Sequence, residues 1–210
     1  MLILGKELVF PPTYLADADG LLCIGGDLSI ARLRLAYSLG IFPWYNDGEP
    51  ICWYTPPQRF VLFPQELHIS KSMKQRLNAN TFTCNINQQF NEVIHQCKIL
   101  SRKGQDGTWI TDEMEQAYIQ LYKNGDAISI ECLQQNELVG GLYGVLCGKV
   151  FTGESMFSLI SNASKFALIK GIDYLQTQGV TLIDCQVPSA HLESMGARII
   201  SRSVFERFLK

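Results

Sequence analysis

The sequence has little of what builds metal centres or disulfide frameworks. Its 210 residues contain three histidines, scattered at positions 68, 95 and 191, and seven cysteines, no two of which have the C-x-x-C spacing. An odd number of cysteines without such pairs is atypical of disulfide-stapled folds and of zinc or iron–sulfur sites. We therefore expect reduced, mostly buried thiols and no bound metal.

Long apolar segments are also missing. No run reaches the ~18 apolar residues of a membrane helix. The N-terminal stretch contains Lys6 and Glu7 and no small-residue cleavage site, so we expect no signal peptide. With 47% hydrophobic and 18% charged residues, the composition is that of an ordinary globular protein of one large or two small domains. We expect a cytoplasmic protein with no membrane partner.

Proline is nearly absent from the last two thirds of the chain. Seven of the eight prolines lie within the first 64 residues, and the eighth is Pro188. This distribution predicts short strands, turns and one helix in the N-terminal third, followed by regular α/β structure. We place a boundary near Gln58–Pro64, and expect a small α/β domain over residues 1–62 and a second domain over residues 63–210.

Acidic residues are scarce in one segment. Between Leu67 and Gln105 there are six basic residues and one acid, Glu92, which gives this segment a net charge of +5 within a chain of −2. A basic segment on an otherwise acidic protein suits a phosphate-bearing partner, nucleic acid in particular. The alternative is a solvated helix face that binds nothing.

Capping residues mark two helices before the midpoint. Ser29 can cap a helix that runs to about Leu39 and ends at Gly40. Thr111 precedes two acidic residues and the apolar repeat of a second helix, which Gly125 ends. Both patterns follow the preferences of helix termini closely enough to predict the helices without other information.

Hydrophobic periodicity predicts the order of elements in the second half. Ile128–Leu133 and Glu137–Gly153 indicate strands of a meander, Asn162–Gln178 a helix and Thr181–Val187 a buried strand, before a short helix and a last strand. This order is similar to that of N-acetyltransferases, so we expect an α/β (α+β) protein with an acetyltransferase-like mixed sheet. The segment Ser155–Asn162 lacks the glycines of a pyrophosphate loop, which favours acyl transfer without coenzyme A.

The sequence contains a set of short motifs that are too specific to occur together by chance. They are Gly20–Ser29 (GLLCIGGDLS), Gly40–Trp44 (GIFPW), Thr108–Ile110 (TWI), Gly153–Ser158 (GESMFS) with Asn162–Lys165 (NASK), and Leu182–Gln186 (LIDCQ). Together, in this order, they resemble the leucyl/phenylalanyl-tRNA–protein transferase family over nearly the whole chain.

The resemblance implies an enzyme that moves an aminoacyl group from a charged tRNA to the N-terminal Arg or Lys of a protein, which marks that protein for degradation. The implied partners are aminoacyl-tRNA carrying Leu, Phe or Met, and proteins with N-terminal Arg or Lys. The resemblance implies no metal or organic cofactor. We expect a monomer.

Three polar residues are the candidates for the catalytic machinery. Asp184 and Gln186 are two apart on a strand and are expected to share one face, whereas Cys185 should point to the opposite layer. We expect Gln186 to orient the attacking amine and accept its proton, and Asp184 to orient the Gln186 amide and attract the cationic acceptor. Glu154 is expected to bind the amine or the basic side chain of the acceptor. A nucleophilic Cys185 is disfavoured, because no histidine is near it in sequence.

The resemblance and the residue types also suggest binding residues. Trp44 and Trp109 are expected to line the region that takes the aminoacyl adenosine. The remaining candidates are Tyr118 as a pocket wall, Leu142, Phe151, Met156 and Phe157 as an apolar slot for the aminoacyl side chain, and Lys71, Lys74, Arg76, Arg102 and Lys103 as tRNA contacts.

Two other functions remain open at this point. An acyl-CoA N-acetyltransferase would need a pyrophosphate loop, which is missing, and a coenzyme A titration would test it. A module that only holds RNA would explain the basic segment, but it would have no need for Glu154, Asp184 and Gln186.

Overall fold

Two sheets of different size organise the computed structural model, which describes residues 2–100 and 109–210. The strands are β1 (Leu2–Leu4), β2 (Leu21–Gly25), β3 (Phe42–Pro43), β4 (Cys52–Tyr54), β5 (Gln58–Leu62), β6 (Thr83–Ile86), β7 (Ala127–Gln134), β8 (Glu137–Cys147), β9 (Val150–Ser158), β10 (Leu182–Gln186) and β11 (Arg198–Ser201). The helices are α1 (Ile30–Ser38), α2 (Lys71–Asn78), α3 (Phe90–Ile99), α4 (Asp112–Lys123), α5 (Ala163–Thr177), α6 (Ala190–Glu193) and α7 (Arg202–Phe205).

The N-terminal part forms a four-stranded sheet in the order β1-β2-β4-β3, with α1 beside it. The Ser29 side chain accepts a hydrogen bond from the Arg32 backbone N–H, so the predicted cap of α1 is confirmed. Trp53 is completely buried in this part, and its indole N–H donates to the Gly25 carbonyl. The same apolar cluster continues into α3 and α4, so the small sheet packs onto the rest of the protein.

The larger sheet has seven strands in the order β11-β5-β10-β9-β8-β7-β6. Strands β7, β8 and β9 form the predicted antiparallel meander, and β10 pairs with β9 in parallel after the crossover helix α5. The acetyltransferase-like order expected from the sequence is therefore confirmed.

Helices cover both faces of this sheet. On one side α3 and α4 pack against β7, β8 and β9, and the Thr111 side chain caps α4 by accepting from the Met114 backbone N–H. On the other side α5 packs against the same strands, with Gly171 so close to β7 that a Cβ would lie 2.3 Å from Ile130. No helix within the described ranges is both long and apolar enough to cross a membrane.

Strand β5 lies between β11 and β10 in the larger sheet. The sheet therefore includes five residues, Gln58–Leu62, that precede the start expected for the second domain at residue 63. The division into two domains stays a prediction.

Strands β9 and β10 separate toward their ends. Their pairing covers Val150–Thr152 against Leu182–Asp184, whereas β9 continues to Ser158 and β10 to Gln186. A gap therefore opens in the sheet beyond Thr152, and the motif residues of both strands lie at its edges.

Candidate active site

A pocket of about 230 Å³ fills the gap between β9 and β10. Its apolar walls are Leu142, Phe151, Met156, Leu168, Ile183 and Leu192. The N-terminal part contributes Phe42, Pro43 and Trp44, and Trp109 lies just before α4. The polar lining includes Glu154, Asp184, Gln186 and His191. Residues from the N-terminal part and from the larger sheet with its helices thus form one cavity, which has an apolar part and a polar part.

Glu154 reaches the pocket because β9 has a bulge at this residue. Tyr143 of β8 pairs with Ser155 and Gly144 with Gly153, so Glu154 is the extra residue of β9. Gly144 permits the close approach beside the bulge, since a Cβ there would lie 2.2 Å from the Thr152 carbonyl oxygen. The bulge resets the alternation of side chains along β9.

The Glu154 carboxyl group is buried between two tyrosines and Gln186. Tyr37 donates to Oε1 at 2.8 Å and Tyr118 to Oε2 at 3.0 Å, while the two phenol oxygens are 2.5 Å apart. The Gln186 Nε2 donates to Oε1 at 3.2 Å. Burial, opposed by these hydrogen bonds and reinforced by the charge of Asp184, raises the pKa of Glu154 to about 7.

Counting protons among Glu154, Tyr37 and Tyr118 shows how their hydrogen-bonded ring can accommodate the neutral acid that burial favours. The ring contains three oxygen–oxygen contacts, but Tyr37 and Tyr118 supply only two protons. If Glu154 is ionised and both phenols donate to it, no proton lies between the phenols. A protonated Glu154 donates to Tyr118, Tyr118 to Tyr37, and Tyr37 to Oε1, so every contact is satisfied. The ring can therefore satisfy all of its hydrogen bonds when burial keeps Glu154 protonated.

A second bulge shapes the end of β10. Asp184 pairs with Val61 and Gln186 with Phe60, so the register shifts between them, and Gln186 has a φ of 62°. The Gln186 backbone N–H donates to Asp184 Oδ1 at 2.9 Å, which holds this left-handed conformation. The simple alternation expected for Asp184 and Gln186 is interrupted here.

The structure corrects the expected role of Asp184. Its carboxylate forms a buried bidentate pair with Arg59, at 2.8 Å and 2.6 Å, and both side chains are almost wholly inaccessible. Arg59 also donates to the Gly40 carbonyl and lies between the rings of Phe42 and Phe205. Asp184 therefore holds the backbone N–H of Gln186 rather than the Gln186 side-chain amide. The charge of Asp184 is already paired with Arg59, so it is not free to attract a cationic acceptor.

The amide of Gln186 is oriented by Glu154 instead. Because Nε2 donates to Glu154, the amide oxygen Oε1 remains to accept a hydrogen bond from a molecule in the pocket. Cys185 also lines the pocket, and it packs against the apolar cluster that includes α5. Burial and the charge of Asp184 raise the pKa of the Cys185 thiol far above its ordinary value, so it is protonated near neutral pH.

The other predicted pocket residues divide into two groups. Trp44, Trp109, Leu142, Phe151 and Met156 line the cavity together. Two further residues lie elsewhere: Tyr118 is behind Glu154 as its hydrogen-bond donor, and Phe157 packs in the core on the α3 side. Met156 and Phe157 are neighbours in a strand and face opposite sides of the sheet, so they cannot build one wall.

The predicted tRNA contacts lie on α2 and beyond it. Lys71, Lys74 and Arg76, here called the α2 basic group, are exposed on a helix that Met73 anchors to the core. Arg102 and Lys103 lie outside the described residues. The exposed basic face of α2 fits both interpretations of this segment, a contact with nucleic acid and a solvated helix face that binds nothing.

Sequence reasoning missed Tyr37, Arg59, Leu168 and Ile183. The signal for Arg59 was a lone arginine in an apolar strand, which needs a buried partner. The other three have the sequence pattern of ordinary core residues. Only the structure shows that Leu168 and Ile183 line the pocket and that Tyr37 is hydrogen-bonded to Glu154. No cluster of three or more potential metal ligands occurs among residues 2–100 and 109–210.

Comparisons with known proteins agree on one family. A family model described as leucyl/phenylalanyl-tRNA protein transferase matches residues 61–210, and the model of its N-terminal domain matches residues 26–57. A leucyl/phenylalanyl-tRNA–protein transferase of Flavobacterium johnsoniae is 53% identical over 210 residues, covering 100% of this chain and 99% of that protein. A protein of the same name from Hydrogenovibrio crunogenus is 51% identical over 207 residues, covering 98% and 81%.

Solved structures are more distant. FemX has a TM-score of 0.52 at 10% sequence identity, covering 86% of this chain and 71% of that one. A likeness at this identity concerns the fold alone, and it agrees with the mixed sheet described above.

Proposed function

The chain belongs to the leucyl/phenylalanyl-tRNA protein transferase family, and we propose that it transfers Leu, Phe or Met from aminoacyl-tRNA to the α-amine of proteins that begin with Arg or Lys. The modified protein would then be marked for degradation. One observation carries this proposal: a single pocket joins an apolar wall to the hydrogen-bonded pair Glu154 and Gln186.

The apolar wall suits the side chain of the aminoacyl group. Leu142, Phe151, Met156, Leu168 and Ile183 offer no charge or hydroxyl to a bound side chain, and Met and Leu adapt easily to different shapes. Such a wall rejects polar side chains, but it separates Leu, Phe and Met weakly, because one methylene group is worth only about 1–3 kcal/mol.

The polar part of the pocket suits aminolysis of an ester. The acceptor nitrogen forms a bond to the carbonyl carbon, and the bond from that carbon to the tRNA oxygen breaks. The amine loses a proton, and the departing tRNA oxygen gains one and becomes a hydroxyl group. An α-amine has a pKa of about 7.7–8.0, so roughly a tenth of it is neutral at pH 7. The ester is already activated, so positioning the amine can supply much of the rate.

Gln186 and Glu154 divide the work in this proposal. The Gln186 amide oxygen accepts an amine N–H and aims the nitrogen lone pair, with the amide held in place by Glu154. Glu154, with a pKa of about 7, has a substantial ionised fraction at neutral pH and takes up the proton that the amine releases. Cys185 forms no thioester, because burial keeps its thiol protonated.

The tryptophans suit the nucleoside end of the donor. Trp44 is 44% exposed at the pocket edge, so part of its indole is accessible to a ligand. Trp109 lines the same pocket. We assign both to contacts with the terminal adenosine of the tRNA, where aromatic rings can stack on the base.

The direct test is to incubate the protein with labelled Leu-tRNA and a peptide that begins with Arg. Labelled peptide is expected, and the same peptide with an acetylated N-terminus should stay unlabelled. An internal lysine, with a pKa of about 10.4, is almost fully protonated and should not react. Mass spectrometry that located the label on a lysine side chain would contradict the proposal.

A further inference from the structure

One motif residue has no role in the pocket described above. Lys165 is half-buried in the first turn of α5, where there is no acidic residue. Among the described residues, no hydrogen bond or ion pair of its ammonium group is found. By contrast, Lys170 on the same helix lies 3.9 Å from Asp173. A half-buried cation without a partner suggests that a negative group normally lies beside it.

His191 brings Lys165 into relation with the pocket. His191 lines the pocket, and its Nε2 is buried without a hydrogen-bond partner among the described residues. Burial first, and then the charge of the nearby Lys165, lowers the pKa of His191. The imidazole is therefore neutral near pH 7 and can donate one N–H. His191 therefore lies at the pocket with an unpartnered ring nitrogen, and Lys165 is near enough for its charge to act on His191.

The helices that carry Lys165, His191 and the α2 basic group pack on the same face of the larger sheet. Met73 of α2, Phe166 of α5 and Leu192 of α6 belong to the same apolar cluster on one face of the larger sheet. Lys165 and His191 are the chain neighbours of two of these residues. The α2 basic group, Lys165 and His191 therefore belong to one layer of helices, and His191 is at the pocket.

We propose that Lys165 and His191 bind the phosphate backbone at the 3′ end of the tRNA, immediately before the nucleoside that carries the aminoacyl ester. This inference rests on the proposed function, since it needs an aminoacyl ester in the pocket. Such an ester carries a phosphodiester on the 5′ side of its nucleoside, and a lysine ammonium is a suitable partner for that charge. The neutral His191 donates Nε2–H to the same backbone.

The test compares two small donors that differ in the phosphate. One is the leucyl ester of adenosine, and the other is the leucyl ester of the dinucleotide cytidylyl-adenosine. In Lys165→Gln we expect the KM for the dinucleotide ester to rise roughly tenfold, as for a lost charged hydrogen bond. The KM for the adenosine ester and both kcat values should stay unchanged. Lys170→Gln is the matched control on the same helix and should alter neither donor.

Variants of His191 test the second contact. His191→Leu should raise the KM for the dinucleotide ester more than the KM for the adenosine ester, and His191→Gln, which keeps an N–H donor, should restore part of the loss. With intact tRNA, Lys165→Gln should also reduce the slope of log binding constant against log salt by about 0.7, the value for one phosphate of a single strand.

Two results would overturn the inference. If Lys165→Gln raised the KM of both donors equally, the residue would act on the nucleoside or on the fold. If it raised neither, the phosphate would be bound elsewhere. Failure of the unmodified protein to use either ester would instead contradict the proposed function, so the two failures can be told apart.

Discussion

Replacing Glu154 by Gln tests whether the folded protein holds Glu154 as a neutral acid. Glutamine has the shape of the neutral acid, and its N–H₂ group can donate to Tyr118 as the protonated carboxyl group does. The pKa of Glu154 rises from an ordinary value of 4.5 to about 7. Each pKa unit corresponds to about 1.4 kcal/mol, so keeping Glu154 ionised in the folded protein costs about 3 kcal/mol of folding free energy.

The sign of the effect follows from proton binding. Between pH 4.5 and about 7 the folded protein holds a proton on Glu154 that the unfolded chain has released. The contribution of Glu154 protonation to the unfolding free energy is therefore fully present below pH 4.5 and is lost as the pH rises through 7. Glu154→Gln has no such proton, so its advantage in unfolding free energy over the unmodified protein should grow by about 3 kcal/mol between pH 4.5 and pH 8.

Urea unfolding of both proteins at a series of pH values measures this difference. Other titrating groups are common to both proteins and cancel in the subtraction. Glu137→Gln, which replaces an exposed carboxylate on β8, is the matched control for the loss of one negative charge. If the difference for Glu154→Gln did not change with pH, the argument that the folded protein holds Glu154 as the neutral acid would be refuted.

Three further predictions concern the other parts of the site. Asp184→Asn leaves the Arg59 guanidinium buried without its charge partner and should lower the unfolding free energy by about 3–5 kcal/mol, measured by urea denaturation; a loss below 1 kcal/mol would show that the pair is not structurally important. Gln186→Ala should keep the fold and tRNA binding but slow single-turnover transfer roughly 100-fold, whereas Cys185→Ala should retain transfer; the reverse pattern would indicate a covalent thioester. Replacing the α2 basic group with alanine should weaken tRNA binding and reduce its salt slope by about one per lost phosphate contact, and an unchanged slope would place the tRNA elsewhere.

Local signals in the sequence were sufficient for much of the architecture. The Ser29 and Thr111 caps were predictable because the donor and acceptor lie three residues apart in the chain. The meander, the crossover helix and β10 followed from periodicity. The motifs identified the family, and they contain Glu154, Asp184 and Gln186, which the structure brings to one pocket.

The roles of the site residues depended on contacts that no local pattern contains. Arg59 and Asp184 are 125 residues apart, and their pairing is formed only when β5 and β10 become neighbours. Likewise, Glu154 meets Tyr37 only through packing of the N-terminal part on the larger sheet.

The two bulges illustrate the same limit in the strands. Strict alternation predicts which side chains share a face only while the register is unbroken, and one extra residue reverses the rule. The bulges at Glu154 and before Gln186 are properties of strand pairing, because an extra residue exists only relative to a partner strand. The sequence by itself therefore determined several of the residues that line the pocket, whereas the tertiary structure added Tyr37, Arg59, Leu168 and Ile183 and decided which contacts hold each side chain.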